Sequence, residues 1–94
     1  MSHDIELTKA ARRDLLRLAD FLAHKSRRAA LGATEAIISA LESLREFPER
    51  ASPAPSAEHR VLPVKFGRDG YVILYRVRGH AVVVARIFHS REAR

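Results

Sequence analysis

The sequence predicts an α+β domain in which an N-terminal strand and a helical hairpin pack on an antiparallel β-sheet, in the order β-α-α-β-β-β. Three observations carry that prediction. Two helix-periodic segments follow a short strand candidate in the first half of the chain. A proline-rich stretch, residues 48–58, then interrupts all periodicity. The second half alternates apolar and polar residues around the dipeptide Gly79-His80. Helical and strand periods are therefore segregated along the chain, the pattern of helices laid against one face of a sheet.

The first element is the strand 4–7, which puts Ile5 and Leu7 on one face. Thr8 stands where its hydroxyl can accept from the first turn of a helix. From Lys9 to His24, Ala11, Leu15, Leu18 and Leu22 recur at helical spacing, while Lys9, Arg13, Arg17, Asp20 and His24 fall opposite as a solvated face. Ser26 caps a second helix reaching Phe47, with Ala30, Ala33, Ile37, Ala40, Leu41, Leu44 and Phe47 as its core stripe. Pro48 stops it, because the residue before a proline is pushed out of the helical region. Leu16, Leu31 and Ile38 are left outside both stripes. Either another segment of the chain covers them or they mark a partner surface.

Residues 48–58 read as a mobile loop. The strand 59–66 contains Pro63, which cannot donate to a ladder and so suits an edge or a bulge. Gly67 to Gly70 supply a turn. The strands 71–78 and 81–89 then form a hairpin, and glycine at the first position of its two-residue loop permits a type II′ turn. That turn pairs Arg78 with Ala81, Arg76 with Val83, Leu74 with Ala85 and Val72 with Ile87, one thin face on which His89 follows. The opposite face carries Tyr71, Ile73, Tyr75 and Val77 with Phe88, Arg86, Val84 and Val82. It is bulkier, so the helices belong there, Tyr71 and Tyr75 enter the core, and Arg86 snorkels to the edge.

With 94 residues, 47% hydrophobic and 30% charged, the chain suits one domain spanning 1–94. A domain this size buries roughly 60 to 70% of its extended-chain surface, which leaves modest stability that a tight partner would raise. The absence of cysteine excludes a disulfide framework and thiolate metal sites and agrees with a cytoplasmic setting. No apolar run reaches the roughly 18 residues of a membrane span. Seventeen Lys and Arg against 11 Asp and Glu give a net charge of +6, which favours an acidic partner or a basic solvated surface. His3, His24, His59, His80 and His89 are scattered without metal-ligand spacing, so neither metal nor cofactor is expected. Ser90 beside His89 lacks an oriented acid, and Gly67 and Gly70 belong to a turn rather than a phosphate loop.

Taken together, the strand leading into TKAARRDLLRLADFLA, the helix end LREFP, the strand RVLPVKF and the terminal YVILYRVRGHAVVVARIFHSRE resemble the ParE toxins of the RelE/ParE toxin–antitoxin superfamily. The ParE resemblance implies a non-enzymatic toxin that inhibits DNA gyrase and is neutralised by a ParD-like antitoxin. Leu16, Leu31 and Ile38 would then offer an apolar groove to an antitoxin helix, with Arg76 and Arg78 adding cationic contacts. Arg60, Arg76, Arg86, His89 and Arg91 would form the target-binding surface. The RelE branch implies instead an enzyme that cleaves mRNA on the ribosome. Such cleavage needs an acid, a base and cations around the phosphate, parts that His89, Arg76 and Arg91 would supply. Two departures count against it. Val72 falls where the RelE pattern has a strand arginine, and the chain lacks that branch's terminal helix and tyrosine. A third reading is an inactive member that only binds its antitoxin.

Overall fold

The computed structural model describes residues 2–50, 52–53 and 58–92. Its elements are β1 (Asp4–Leu7), α1 (Lys9–Ala23), α2 (Arg27–Glu46), β2 (Ser52–Pro53), β3 (Arg60–Val64), β4 (Tyr71–Arg78) and β5 (Ala81–His89). The predicted order holds, with one addition: Ser52 and Pro53 pair with Val61 and Arg60 as a two-residue strand inside the stretch read as a loop. The rest of that loop's mobile reading concerns residues 51 and 54–57, which lie outside the described residues, as does Arg94. The sheet runs β1-β5-β4-β3-β2. β3, β4 and β5 are antiparallel neighbours, whereas β1 pairs parallel to β5, so the sheet is mixed.

Both helix starts follow from their caps. The Thr8 hydroxyl accepts from the Ala11 amide at 3.1 Å, and Ser26 Oγ accepts from the Ala29 amide at 3.1 Å. Each satisfies an amide that the first turn leaves without a helical partner. Ala11 and Leu18 of α1, with Ala33, Ile37, Leu41 and Leu44 of α2, close over Leu62, Val64, Tyr71, Ile73, Tyr75, Val82, Val84 and Ile87 of the sheet. Tyr75 is fully buried and its hydroxyl donates to the Pro48 carbonyl at 2.6 Å. Phe47 departs from the predicted core stripe and is 68% exposed. It caps α2 with a non-helical backbone (φ −128°, ψ 66°), which turns its side chain off the buried face.

The hairpin turns with a positive φ of 59° at Gly79 and none at His80, the signature of a type II′ loop. Its register follows the prediction from Arg78↔Ala81 to Tyr75↔Val84. There it slips: Leu74 pairs with Arg86, Ile73 with Ile87, Val72 with Phe88 and Tyr71 with His89. Ala85 is the extra residue of a β-bulge, and one added residue moves everything beyond it to the other face. Ile87, expected on the thin face, is therefore fully buried beneath the helices. Phe88 and Arg86 leave the helix side, and His89 joins it.

The bulge sits where β5 loses its neighbour. β1 covers β5 only as far as Leu7↔Val84. Beyond that point α1 supplies what a strand would have supplied. Thr8 donates its hydroxyl to the Ala85 carbonyl at 2.8 Å, and the Asp14 carboxylate accepts the Ile87 amide at 2.9 Å. Two side chains thus satisfy an edge that would otherwise be buried unpaired.

Candidate functional site

Asp14 is the one buried charged residue among those described, 3% exposed. It occupies the apolar stripe of α1 between Ala11 and Leu18, and that placement was the available sequence signal that it has a buried partner. Arg86 is the partner, donating to both carboxylate oxygens at 2.7 and 2.9 Å. Its guanidinium also lies 4.7 Å from the Phe88 ring centre. Burial pushes the Asp14 pKa up, but the hydrogen bonds from Arg86 and the Ile87 amide outweigh it and leave the carboxyl below its ordinary value. Arg86, a candidate target-binding residue, is therefore held by the fold's own carboxylate.

His89 stands at the end of β5 on the wall of a cleft of about 690 Å³. The cleft lies between the C-terminal half of α1 and the turn 66–70, and its apolar lining includes Leu18, Phe21, Leu22, Phe66 and Tyr71. The Tyr71 ring meets His89 edge-on, with centres 5.6 Å apart, and burial raises the Tyr71 hydroxyl pKa. Nδ1 of His89 accepts the Arg91 amide at 3.2 Å. A neutral imidazole whose Nδ1 accepts carries its proton on Nε2, which makes Nε2 a donor rather than a base.

Two of the arginines next to His89, Arg17 and Arg91, are bound to carboxylates of the same chain. Arg17 forks onto Glu92 at 3.0 and 3.1 Å, and Glu92 also accepts the His89 amide at 3.2 Å. Burial raises the Glu92 pKa, yet the Arg17 and His89 hydrogen bonds overcome that and lower it. The Arg17 pKa is raised, chiefly by its hydrogen bond to Glu92. Arg91 pairs with Asp69 at 3.3 Å. Lys25 lies over the Phe21 ring at 4.8 Å. Arg68 also lines the cleft and has no side-chain partner among the described residues.

The target-binding set expected from sequence is therefore not one cluster. His89 and Arg91 share the cleft. Arg76 and Arg78, expected beside His89, lie on the sheet face away from the helices, because the bulge sent His89 to the other side. Arg60 is on β3, opposite Tyr75, with its guanidinium toward the Glu49 carbonyl at 3.5 Å. Asp69 and Glu92, at this end of the sheet, are taken by Arg91 and Arg17.

The apolar residues outside the helix stripes are uncovered. Leu16 is 71% exposed, Leu31 61% and Ile38 47%. Leu16 and Leu31 flank a shallow groove between the helices, floored by Ala19, Ala23 and Ala30. Ile38 extends the same side of α2 two turns further. Phe21, 58% exposed, carried no sequence signal of its own, since its position on α1 is neither core nor polar. Arg76 and Arg78, grouped with these leucines by sequence, sit across the molecule from them.

A helical hairpin on a mixed five-stranded sheet thus carries an exposed interhelical groove and a cleft at the end of the last strand. The family model described as ParE toxin of type II toxin-antitoxin system, parDE, matches residues 5–94, and the chain belongs to that family. Toxin RelE3 of Caulobacter vibrioides is 42% identical over 90 residues, 96% of this chain and 97% of that one. Toxin RelE1 of the same organism is 37% identical over 95 residues and the full length of both. Among solved structures, a chain of the chromosomal ParDE system from P. aeruginosa superposes with a TM-score of 0.77 at 22% identity, covering 96% of this chain and 98% of that one. A chain of the RelBE2 toxin–antitoxin complex from Mycobacterium tuberculosis gives 0.68 at 23% identity, covering 98% and 95%. The chain is thus a type II toxin of the ParE/RelE superfamily with that superfamily's fold. Among the described residues no helix is long and apolar enough to cross a membrane.

Proposed function

We propose that the chain arrests growth by binding and inhibiting DNA gyrase, without cleaving RNA, and that a ParD-like antitoxin neutralises it in the cytoplasm. The observation that carries this reading is the pairing of Arg17 and Arg91, beside His89, with carboxylates of the same chain. Arg17 is bound to Glu92 and Arg91 to Asp69, and Arg86, outside the cleft, is bound to Asp14. Phosphodiester cleavage needs cations aimed at the charge that develops on the phosphate, and paired arginines are poorly placed to supply it. Val72, at the position where an RNA-cleaving relative would carry a cation, is 8% exposed and packed opposite Phe88. The antitoxin reading rests on the groove between α1 and α2, where Leu16 and Leu31, with the exposed Ile38 further along α2, offer spaced apolar anchors to a helix.

The second reading is ribosome-dependent mRNA cleavage, favoured by His89 itself. Its Nε2 N–H can donate a hydrogen bond to a phosphate oxygen in the cleft, and Arg68 lines the same cleft with no side-chain partner among the described residues. The deciding experiment runs the purified toxin in a gyrase supercoiling assay and in a ribosome-dependent mRNA cleavage assay. Loss of supercoiling with intact mRNA is expected. Cleavage that disappears in His89→Ala would overturn the gyrase reading, and silence in both assays would leave antitoxin binding as the whole activity. In cells, His89→Ala and Arg91→Ala should each reduce growth inhibition more than soluble level. Full toxicity of both would remove the cleft from the active surface.

A further inference from the structure

The sheet face turned away from the helices carries a charge pattern that toxicity and antitoxin capture leave unused. Register places Asp4, Ala81 and Arg78 in one row across β1, β5 and β4, and Glu6, Val83 and Arg76 in another. The residues that alternate with them, Ile5, Leu7, Tyr75, Val82 and Val84, pack into or against the core, so these six side chains share the outer face. An acidic rail on β1 and a basic rail on β4 therefore flank a small apolar lane on β5. Neighbouring strands are about 4.8 Å apart, which sets the rails about 10 Å from each other with Ala81 and Val83 between them. Among the described residues, none of the four charged side chains has an ion-pair or hydrogen-bond partner.

We infer that this face is the interface of a homodimer of the free toxin, in which the acidic rail of each copy lies on the basic rail of the other. A two-fold axis along β5 exchanges the β1 side with the β4 side and keeps height along the strands. Asp4 then meets Arg78 of the second copy and Glu6 meets Arg76 of the second copy, each contact occurring twice, while Ala81 and Val83 meet their own counterparts. Such an isologous contact closes on itself. Sheets stacked face to face keep their strands within about 30° of one another and about 10 Å apart, a gap that an arginine and a carboxylate span together. A partner carrying a single sign of charge would satisfy one rail and be repelled by the other, which excludes nucleic acid and disfavours a uniformly acidic peptide. The face lies opposite the interhelical groove, so the dimer leaves Leu16 and Leu31 accessible. Six residues a side fall short of the roughly 20 to 30 of a standard interface, so association is weak and concentration-dependent.

Sedimentation velocity on the purified toxin, over about a hundred-fold range of concentration, tests this directly. The sedimentation coefficient should rise with concentration at low salt and the rise should shrink as salt is added, because exposed ion pairs are screened. Glu6→Arg and Arg76→Glu should each weaken self-association at least about tenfold, since each sets like charges against one another in the symmetric pair. Mixing the two variants should restore association, because each altered rail then faces the opposite sign. The doubly substituted chain should dimerise again with itself, and circular dichroism confirms that every variant is folded. A wild-type chain that stays monomeric throughout, single variants that dimerise as well as wild type, or a mixture that fails to associate would each overturn the inference.

Discussion

Removing the Asp14 carboxylate should destabilise this fold more than any other single charge change. Asp14 accepts three strong hydrogen bonds, two from Arg86 and one from the buried Ile87 amide. In Asp14→Ala the Ile87 amide loses its acceptor, and an orphaned buried donor costs about 1 to 3 kcal/mol. The Arg86 side chain is 43% exposed, so water recovers part of its two bonds, and its share falls to about 1 kcal/mol or slightly more. The expected loss is about 3 kcal/mol, or a fall in Tm of about 12 to 24 °C for a domain this small. Asp14→Asn keeps one acceptor and should lose about half as much. Urea denaturation followed by circular dichroism gives both values. The wild type should also show a pH dependence that Asp14→Asn lacks. The carboxyl titrates lower in the folded chain than its ordinary value, so its stabilisation is complete above the unfolded-state pKa of about 3.9 and is lost as pH falls through the folded value. A loss below about 0.5 kcal/mol in Asp14→Ala, the range of ordinary surface changes, would refute the assignment of Asp14 as the clasp of the β5 edge.

Gly70 has a φ of 104°, and a Cβ there would lie 2.2 Å from the Val64 carbonyl oxygen, whereas Gly79 has a φ of 59° and open space around it. Gly70→Ala should therefore cost several kcal/mol or prevent folding, and Gly79→Ala about 1 kcal/mol, as read by thermal melts; equal costs would show that the backbone crossing at Gly70 is relaxed. Glu92→Gln should speed amide exchange at His89 while changing global stability by less than about 1 kcal/mol, because the Arg17–Glu92 pair is partly exposed and open to solvent screening. Unchanged exchange at that amide would mean that the tail is held by something other than Arg17. Leu31→Asp, at a site 61% exposed, should weaken antitoxin binding at least about tenfold in calorimetry with little change in Tm, and undiminished affinity would discard the interhelical groove as the antitoxin site.

The elements of this fold were legible because they rest on local rules. Thr8 and Ser26 announce helix starts, Pro48 a stop, and Gly79-His80 a type II′ turn, and all of them stand in the structure. The exposed Leu16, Leu31 and Ile38 were visible as misfits to the helical period and remain exposed. The candidate site was less legible. The thin face was expected to gather Arg76, Arg78 and His89, and the structure divides them between the two sides of the sheet.

That division traces to one residue. Strand alternation is a local rule and gave the hairpin correctly from Arg78 back to Tyr75. Whether the period skips a position at Ala85 depends on what lies beside β5 where β1 ends, and that is settled by Thr8 and Asp14, 77 and 73 residues away in sequence from the groups they bind. The sequence by itself therefore determined the main elements, their order and which apolar helix residues fall outside the core stripes, since helical and strand periods, caps and turns act within a few residues. Only the tertiary structure decided which face His89 occupies, which carboxylate holds each arginine, and that Asp4 and Glu6 run parallel to Arg78 and Arg76. Those facts depend on pairing between distant segments, where one bulged residue reverses every side chain beyond it.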